Sequence, residues 1–154
     1  MARYVDLVSE ARERVTEIMP WDLSRLLATG KKPLLVDVRE PAEFAVLNIP
    51  GSINVPRGIL EQSCEWDYVE TLPELANSRE QEIVVICRSG NRSVLAAEMM
   101  MRLGFSNVVS LKTGIKGWND YEQPLSNASG NVVDADTAEA ILVTRLKPEQ
   151  RTPT

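Results

Sequence analysis

The sequence contains no histidine. That absence removes Ser-His-Asp and Cys-His catalysis together with every imidazole metal site. Cysteine is nearly as scarce: Cys64 and Cys87 are the only two, 23 positions apart, which excludes zinc-finger spacing and a redox Cys-x-x-Cys pair. No run reaches the roughly 20 apolar residues of a membrane span, so no membrane partner is expected. There is no basic block either, and with a net charge of −5 nucleic-acid binding is not expected. The start, Met1-Ala2-Arg3-Tyr4-Val5-Asp6, lacks the apolar core and cleavage site of a signal peptide, which points to the cytoplasm. Asn127-Ala128-Ser129 matches a glycosylation sequon that carries meaning only after secretion. Chemistry in this chain must run on a lone thiol, with no metal and no cofactor expected.

What is present is ordinary in bulk and unusual in one place. At 154 residues, 25% charged and 44% hydrophobic, the chain suits one globular domain with terminal extensions. The unusual place is Ile83-Val84-Val85-Ile86-Cys87-Arg88-Ser89-Gly90-Asn91-Arg92-Ser93. The β-branched run reads as a buried strand ending at the thiol. A short polar turn with Gly90 follows, and Val94 to Leu103 reads as a helix closed by Gly104. A thiol between a strand and a helix N-terminus faces backbone N–H groups and the positive end of the helix dipole, both of which favour an anion. Arg88 and Arg92 add positive charge on either side. Most free cysteines are inert core residues, but six nearly all-polar residues after Cys87 do not read as core.

Around this loop the chain alternates. Residues 2–14 carry Val5, Val8, Ala11 and Val15 at helical spacing, an amphipathic leading helix. Val15–Ile18 reads as a short strand, Pro20 to about Ala28 as a helix, and Leu34-Leu35-Val36-Asp37-Val38 as a strand covered on both faces. Pro41–Leu47 is a short helix, Pro50-Gly51 a turn, and Ser52–Val55 a strand. Residues 57–82 are the least regular, with Trp66, Tyr68, Leu72 and Leu75 expected to pack over the core. Val108–Leu111 is another strand, followed by Gly114 and a helix carrying Ile115 and Trp118. The alternation implies an α/β fold, a parallel sheet with helices on both faces, whose ligands bind beyond the carboxyl ends of the strands. Asp37-Val38-Arg39, Cys87 and Lys112-Thr113-Gly114 share that edge. Ser126 to Asn131 reads as a linker. Ala135–Val143 reads as a helix capped by Asp134 or Asp136, its Ala138, Ile141 and Leu142 needing a surface on this domain or on a second copy in a homodimer.

Five motifs resemble the rhodanese (thiosulfate sulfurtransferase) family in its single-domain bacterial form. They are Asp37-Val38-Arg39-Glu40 with Glu43-Phe44, Ile49-Pro50-Gly51-Ser52-Ile53-Asn54, Cys87 to Ser93, Leu103-Gly104-Phe105, and Gly114-Ile115-Lys116-Gly117-Trp118. The similarity runs from about residue 15 to 125. The resemblance implies a rhodanese-like fold, a five-stranded parallel sheet flanked by helices, over 15–125. Residues 1–14 are then an N-terminal helix, and 126–154 a linker, a C-terminal helix and a mobile tail. It implies a sulfurtransferase in which Cys87 takes a sulfane sulfur from thiosulfate or another small anionic donor and becomes a persulfide. A thiol, cyanide or a protein accepts the sulfur. Arg88, Ser89, Gly90, Asn91, Arg92 and Ser93 form the substrate-binding loop, with Arg88 and Arg92 as anion-binding side chains. Relatives often carry Gly-His before Ile-Pro-Gly, where this chain has Leu47-Asn48, and two glycines where Thr113-Gly114 stands.

Several side candidates are weighed against plain structural roles. Asp37 and Arg39 could orient the loop, but Arg39 paired with a carboxylate such as Glu43 is favoured. Trp118 could wall the pocket or fill the core, and Lys112 could attract anions or be solvated. Cys64 could resolve a persulfide, but an incidental thiol is favoured because Glu61, Glu65 and Asp67 surround it in sequence. Two rival functions remain. Phosphatases and arsenate reductases of related fold use a loop one residue longer than the four residues between Cys87 and Arg92. A protein-to-protein sulfur-relay carrier shares the persulfide and cannot be separated at this level.

Overall fold

The computed structural model describes residues 1–154. In chain order the elements are α1 (Tyr4–Arg14), β1 (Thr16–Ile18), α2 (Pro20–Ala28), β2 (Leu34–Asp37), α3 (Pro41–Val46) and β3 (Ile53–Asn54). Two single-turn helices follow, α4 (Leu60–Ser63) and α5 (Pro73–Ala76). Then come β4 (Ile83–Ile86), α6 (Asn91–Arg102), β5 (Val108–Leu111), α7 (Gly114–Asp120), a small hairpin of β6 (Leu125–Ser126) and β7 (Val132–Val133), and α8 (Ala135–Leu142).

The sheet has five strands in the order β1-β5-β4-β2-β3, every pair parallel. This is the parallel sheet with helices on both faces that the alternation predicts, with the five strands that the family resemblance implies. β2 and β4 are buried along their whole length, as continuous apolar runs must be when both faces are covered. Side chains alternate across the sheet, so Ile83, Val85 and Cys87 join one core cluster with Ala11, Val94, Ala97 and Met100 of α1 and α6. Val84 and Ile86 join the other, with Leu23, Ile115, Trp118, Ala138 and Leu142 of α2, α7 and α8. Strand parity therefore aims Cys87 at the face that carries α1 and α6.

The chain leaves β2 toward β3 on one side and leaves β4 toward β5 on the other. Parallel sheets open a crevice at such a reversal, beyond the carboxyl ends of the two strands. Cys87 stands at that point.

Four expectations change. Helix α6 begins at Asn91, three residues before Val94. Ser126–Asn131 is not a linker but the turn side of the β6–β7 hairpin, which also bridges Asn48 to Ser126. Trp66 and Tyr68 are half-exposed rather than packed over the core, whereas Leu75 is fully buried. Ile141 faces outward at 41% exposure, while Ala138 and Leu142 pack against this same chain, so α8 needs no second copy to cover it. Asp134 caps α8, accepting hydrogen bonds from the Thr137 amide at 2.8 Å and the Thr137 hydroxyl at 3.0 Å.

Candidate active site

The loop after β4 is held from behind. The first amides of α7 reach back to it: Ile115 N–H donates to Cys87 O at 2.9 Å and Lys116 N–H to Arg88 O at 3.1 Å. This close approach requires Gly114, because a Cβ there would lie 2.5 Å from the Arg88 and Cys87 carbonyl groups, and its φ is +60°. With those carbonyls committed to α7, the amides that follow are free to point the other way. Gly90 N–H donates to Cys87 Sγ at 3.0 Å, and Gly90 adopts φ +100°. The N–H groups of Arg88, Ser89, Asn91, Arg92 and Ser93 have no acceptor within the chain. The last three open α6, where helix amides are unpaired by construction. Together they are uncommitted donors in the segment that follows the sulfur.

Cys87 is buried, 1% exposed. Ser93 Oγ lies 3.3 Å from Sγ, and Ser110 Oγ donates to Ser93 Oγ at 2.8 Å. A neutral thiol donates to Ser93; an ionised one lets the Ser93 hydroxyl turn and donate instead. Ser110 is missed by sequence reasoning, although a hydroxyl inside the otherwise apolar Val108-Val109-Ser110-Leu111 is a readable signal.

Arg92 is near the sulfur but not free. Its guanidinium grips Glu43 of α3 in a fork, Nη1 to Oε2 at 2.9 Å and Nη2 to Oε1 at 3.0 Å. The hydrogen bond from Arg92 holds the Glu43 carboxyl below its usual range, and Glu43 in turn raises Arg92 further. Arg39 therefore does not pair with Glu43. It forms a buried pair with Asp37, Nη2 to Oδ2 at 2.8 Å, and also donates to the Leu47 carbonyl. Asn54 ties the Asp37 and Arg39 carbonyls at 3.1 and 2.9 Å, so this cluster is a scaffold under the loop.

Arg88 corrects another expectation. Its guanidinium turns away from the sulfur to the end of α8, donating to the Leu142 carbonyl and to Thr144 Oγ1 at 2.7 Å. Only its backbone belongs to the sulfur loop, because the spare carbonyls at the end of α8 and the Thr144 hydroxyl offer it uncontested acceptors. Ser89 is exposed at the tip. Trp118 belongs to the opposite core, its Nε1 donating to the Pro124 carbonyl at 2.9 Å. It lines a separate cleft of about 340 Å³ with Leu27, Ile49 and Gln123, away from Cys87. Lys112 is solvent-exposed. Burial, more than the nearby Glu65 and Glu61, pushes the Cys64 thiol up to about 11 despite Arg79.

Sequence reasoning also misses the contribution of α1. Arg12 Nη2 donates to Asn91 Oδ1 at 3.0 Å, tying α1 to the first residue of α6. Tyr4, two turns earlier on the same side, lies in the field of Cys87, Arg92 and Arg12. Burial raises its phenol, the Cys87 charge raises it further, and the two arginines oppose both. The helical stripe of α1 is legible in the sequence; which element its charged members meet is not.

A model of the rhodanese-like domain matches residues 20–121. A sulfurtransferase of Allochromatium vinosum is 32% identical over 116 residues, covering 75% of this chain and 99% of that protein. The adenylyltransferase and sulfurtransferase MOCS3 of Drosophila virilis is 37% identical over 112 residues, 72% of this chain but 23% of its own length. The match thus spans about a quarter of that longer relative. Among solved structures, the human single-domain sulfurtransferase TSTD1 superposes with a TM-score of 0.61 at 25% identity, covering 69% of this chain and 96% of the other. A Rhodopseudomonas palustris protein of unknown function, described as a possible tyrosine phosphatase, gives a TM-score of 0.75 at 26% identity over 82% of this chain and 96% of the other.

Proposed function

This chain belongs to the rhodanese-like domain family, whose matched relatives include sulfurtransferases, and from that premise we propose that it transfers sulfane sulfur from thiosulfate through a persulfide on Cys87. The observation that carries the reading is a cysteine sulfur already receiving the Gly90 N–H at 3.0 Å in a loop whose other amides, from Arg88 to Ser93, have no acceptor in the chain. Uncommitted amides in such a loop suit a sulfur anion one atom beyond Sγ.

The step balances without an oxidant. The Cys87 thiolate attacks the outer sulfur of thiosulfate; a bond forms between the two sulfurs as the bond inside thiosulfate breaks. Sulfite leaves with the electron pair as a dianion, and the new persulfide keeps one negative charge on its outer sulfur. An acceptor thiolate or cyanide then attacks that outer sulfur, and the Cys87 thiolate is released. No imidazole is called for at either step. Ser93, backed by Ser110, and the Gly90 amide follow the charge as it moves.

The deciding measurement is intact mass after incubation with thiosulfate. Wild type gains one sulfur, and Cys87→Ser, nearly isosteric and folded, gains none. Turnover of a generic aryl phosphate that disappears in Cys87→Ser overturns the reading in favour of a phosphatase. The short spacing of Cys87 and Arg92, and the commitment of Arg92 to Glu43, weigh against that rival.

A relay role is the second reading, favoured by relatives in which the domain is part of a longer adenylyltransferase–sulfurtransferase. Comparing cyanide, glutathione, thioredoxin and purified carrier proteins as acceptors separates the two. Efficient turnover with a protein alone establishes the relay.

A further inference from the structure

Helix α1 lies outside the segment matched by the family model, which begins at residue 20. It packs along α6, with Val8 and Ala11 buried and Ala11 in the core cluster of Val94, Ala97 and Met100, and so stands beside the Cys87 loop. Arg12 reaches furthest in. Its Nη2 is 3.0 Å from Asn91 Oδ1 and would be 3.9 Å from a Cβ placed on Gly90, the residue whose amide meets the sulfur.

Arg12 is under-used where it sits. Of its five N–H donors, one goes to Asn91, and Nε is ion-paired edge-on with Glu17, donating to Oε2 at 3.5 Å and lying 3.4 Å from Oε1. The remaining three have no acceptor in the chain. The side chain is 37% exposed, open to a ligand from outside. Tyr4, half-exposed, stands on the same side of the helix.

The chemistry of attack says what should meet it. Displacement at the outer sulfur of thiosulfate is in line, so the sulfonate lies on the far side of that sulfur from Cys87. It therefore projects away from the loop amides to the mouth, where the three oxygens need cationic donors. The Arg88 guanidinium points instead to the end of α8, and Arg92, though it too keeps unpaired N–H groups, has its charge met by Glu43 in a two-bond fork. We propose that Arg12 of α1 is a substrate-binding residue that selects dianionic, oxyanion-tailed sulfur donors by gripping the tail that leaves as sulfite. The assignment rests on the sulfurtransferase reading above and adds the element that sets donor class.

The test is steady-state kinetics of the full-length chain with two donors, thiosulfate and a small alkyl persulfide whose tail is uncharged. Arg12→Gln raises the thiosulfate KM roughly tenfold and changes kcat by less than about threefold, as loss of one charge-assisted contact of about 1.4 kcal/mol implies. The alkyl persulfide KM moves by less than twofold, and Arg12→Lys restores most of the thiosulfate KM. An unchanged thiosulfate KM overturns the assignment, and so does a parallel loss with both donors, which marks α1 as packing only. Intact mass keeps the two readings apart. Wild type that gains no sulfur from thiosulfate overturns the parent reading and this one with it. Wild type that gains sulfur beside an Arg12→Gln variant of unaltered KM overturns this one alone.

Discussion

At the scale of single residues, the site is defined by which charges are already spent. Glu43 and Arg92 neutralise each other through two hydrogen bonds, and Glu43 also accepts the Glu40 amide at 2.9 Å. Because the Glu43 pKa is lowered in the folded state, its contribution to stability is present above the ordinary carboxylate value and is lost as pH falls through the folded value. Both side chains are about one-third exposed, so solvent screening holds that contribution under about 1 kcal/mol. Glu43→Gln should therefore melt slightly below wild type at pH 7, and the gap should close as pH drops below the carboxylate range. Thermal melts from pH 7 to 3 check this; a gap that widens in acid would contradict the pairing. The same variant releases Arg92 toward the mouth, and the thiosulfate KM should fall if its charge is then free to bind the donor. Cys64 behaves oppositely. Its pKa is raised to about 11, so what it contributes is intact below the unfolded thiol value near 9 and is lost as pH climbs through 11. Alkylation at pH 8 should leave Cys64 unmodified until the chain is unfolded.

At the scale of elements, the active loop is shaped by its contact with α7. Gly114→Ala puts a methyl 2.5 Å from the Cys87 and Arg88 carbonyls, which are backbone and cannot rotate aside. The expected cost is about 3 kcal/mol, with sulfur transfer lowered at least tenfold because the loop loses its backing. Gly104→Ala is the matched control: it also has positive φ, +89°, but open space around the new Cβ, so it should cost about 1 kcal/mol and spare transfer. Equal losses in melting temperature for the two variants would sink the argument. The sheet is legible because β2 opens on the short apolar run Leu34-Leu35-Val36 and β4 is a β-branched run, and alternation along β4 already aims Cys87 at one face. The first turn of α6 is not, since Asn91, Arg92 and Ser93 are polar and carry no apolar periodicity. The β6–β7 hairpin hides for a similar reason: strands of two residues are too short to show a period. Nor could the sequence reveal that Arg88 binds a segment 54 residues away, or Arg12 one 79 residues away.

At the scale of the whole molecule, both terminal segments outside residues 20–121 close on the same loop. α1 holds its far end through Asn91, and the end of α8 holds its near end through Arg88. The body carries a net charge of −5, so the positive character of the mouth is local, made by helix amides and a few arginines set into an acidic surface. The C-terminal clasp is built from apolar burial as well as from the Arg88 bonds. Ala138 and Leu142 are buried against Ile115 and Trp118, and Asn119 donates to the Ala135 carbonyl at 3.1 Å. Ending the chain after Val133 exposes that surface, strands the nearly buried Asn119 amide and frees the Arg88 guanidinium. Lost burial alone amounts to about 3 kcal/mol, which for a domain of this size lowers the melting temperature by about 10 °C. Leu142→Ala, which keeps the backbone carbonyl that Arg88 uses, should cost about 2–3 kcal/mol. Because the loop stays clasped in Leu142→Ala, its thiosulfate KM below the melting range should stay nearer to wild type than that of the truncated chain. Calorimetry paired with donor titration of both variants tests this, and a truncated chain that melts with wild type would mean that α8 does not dock on the domain in solution.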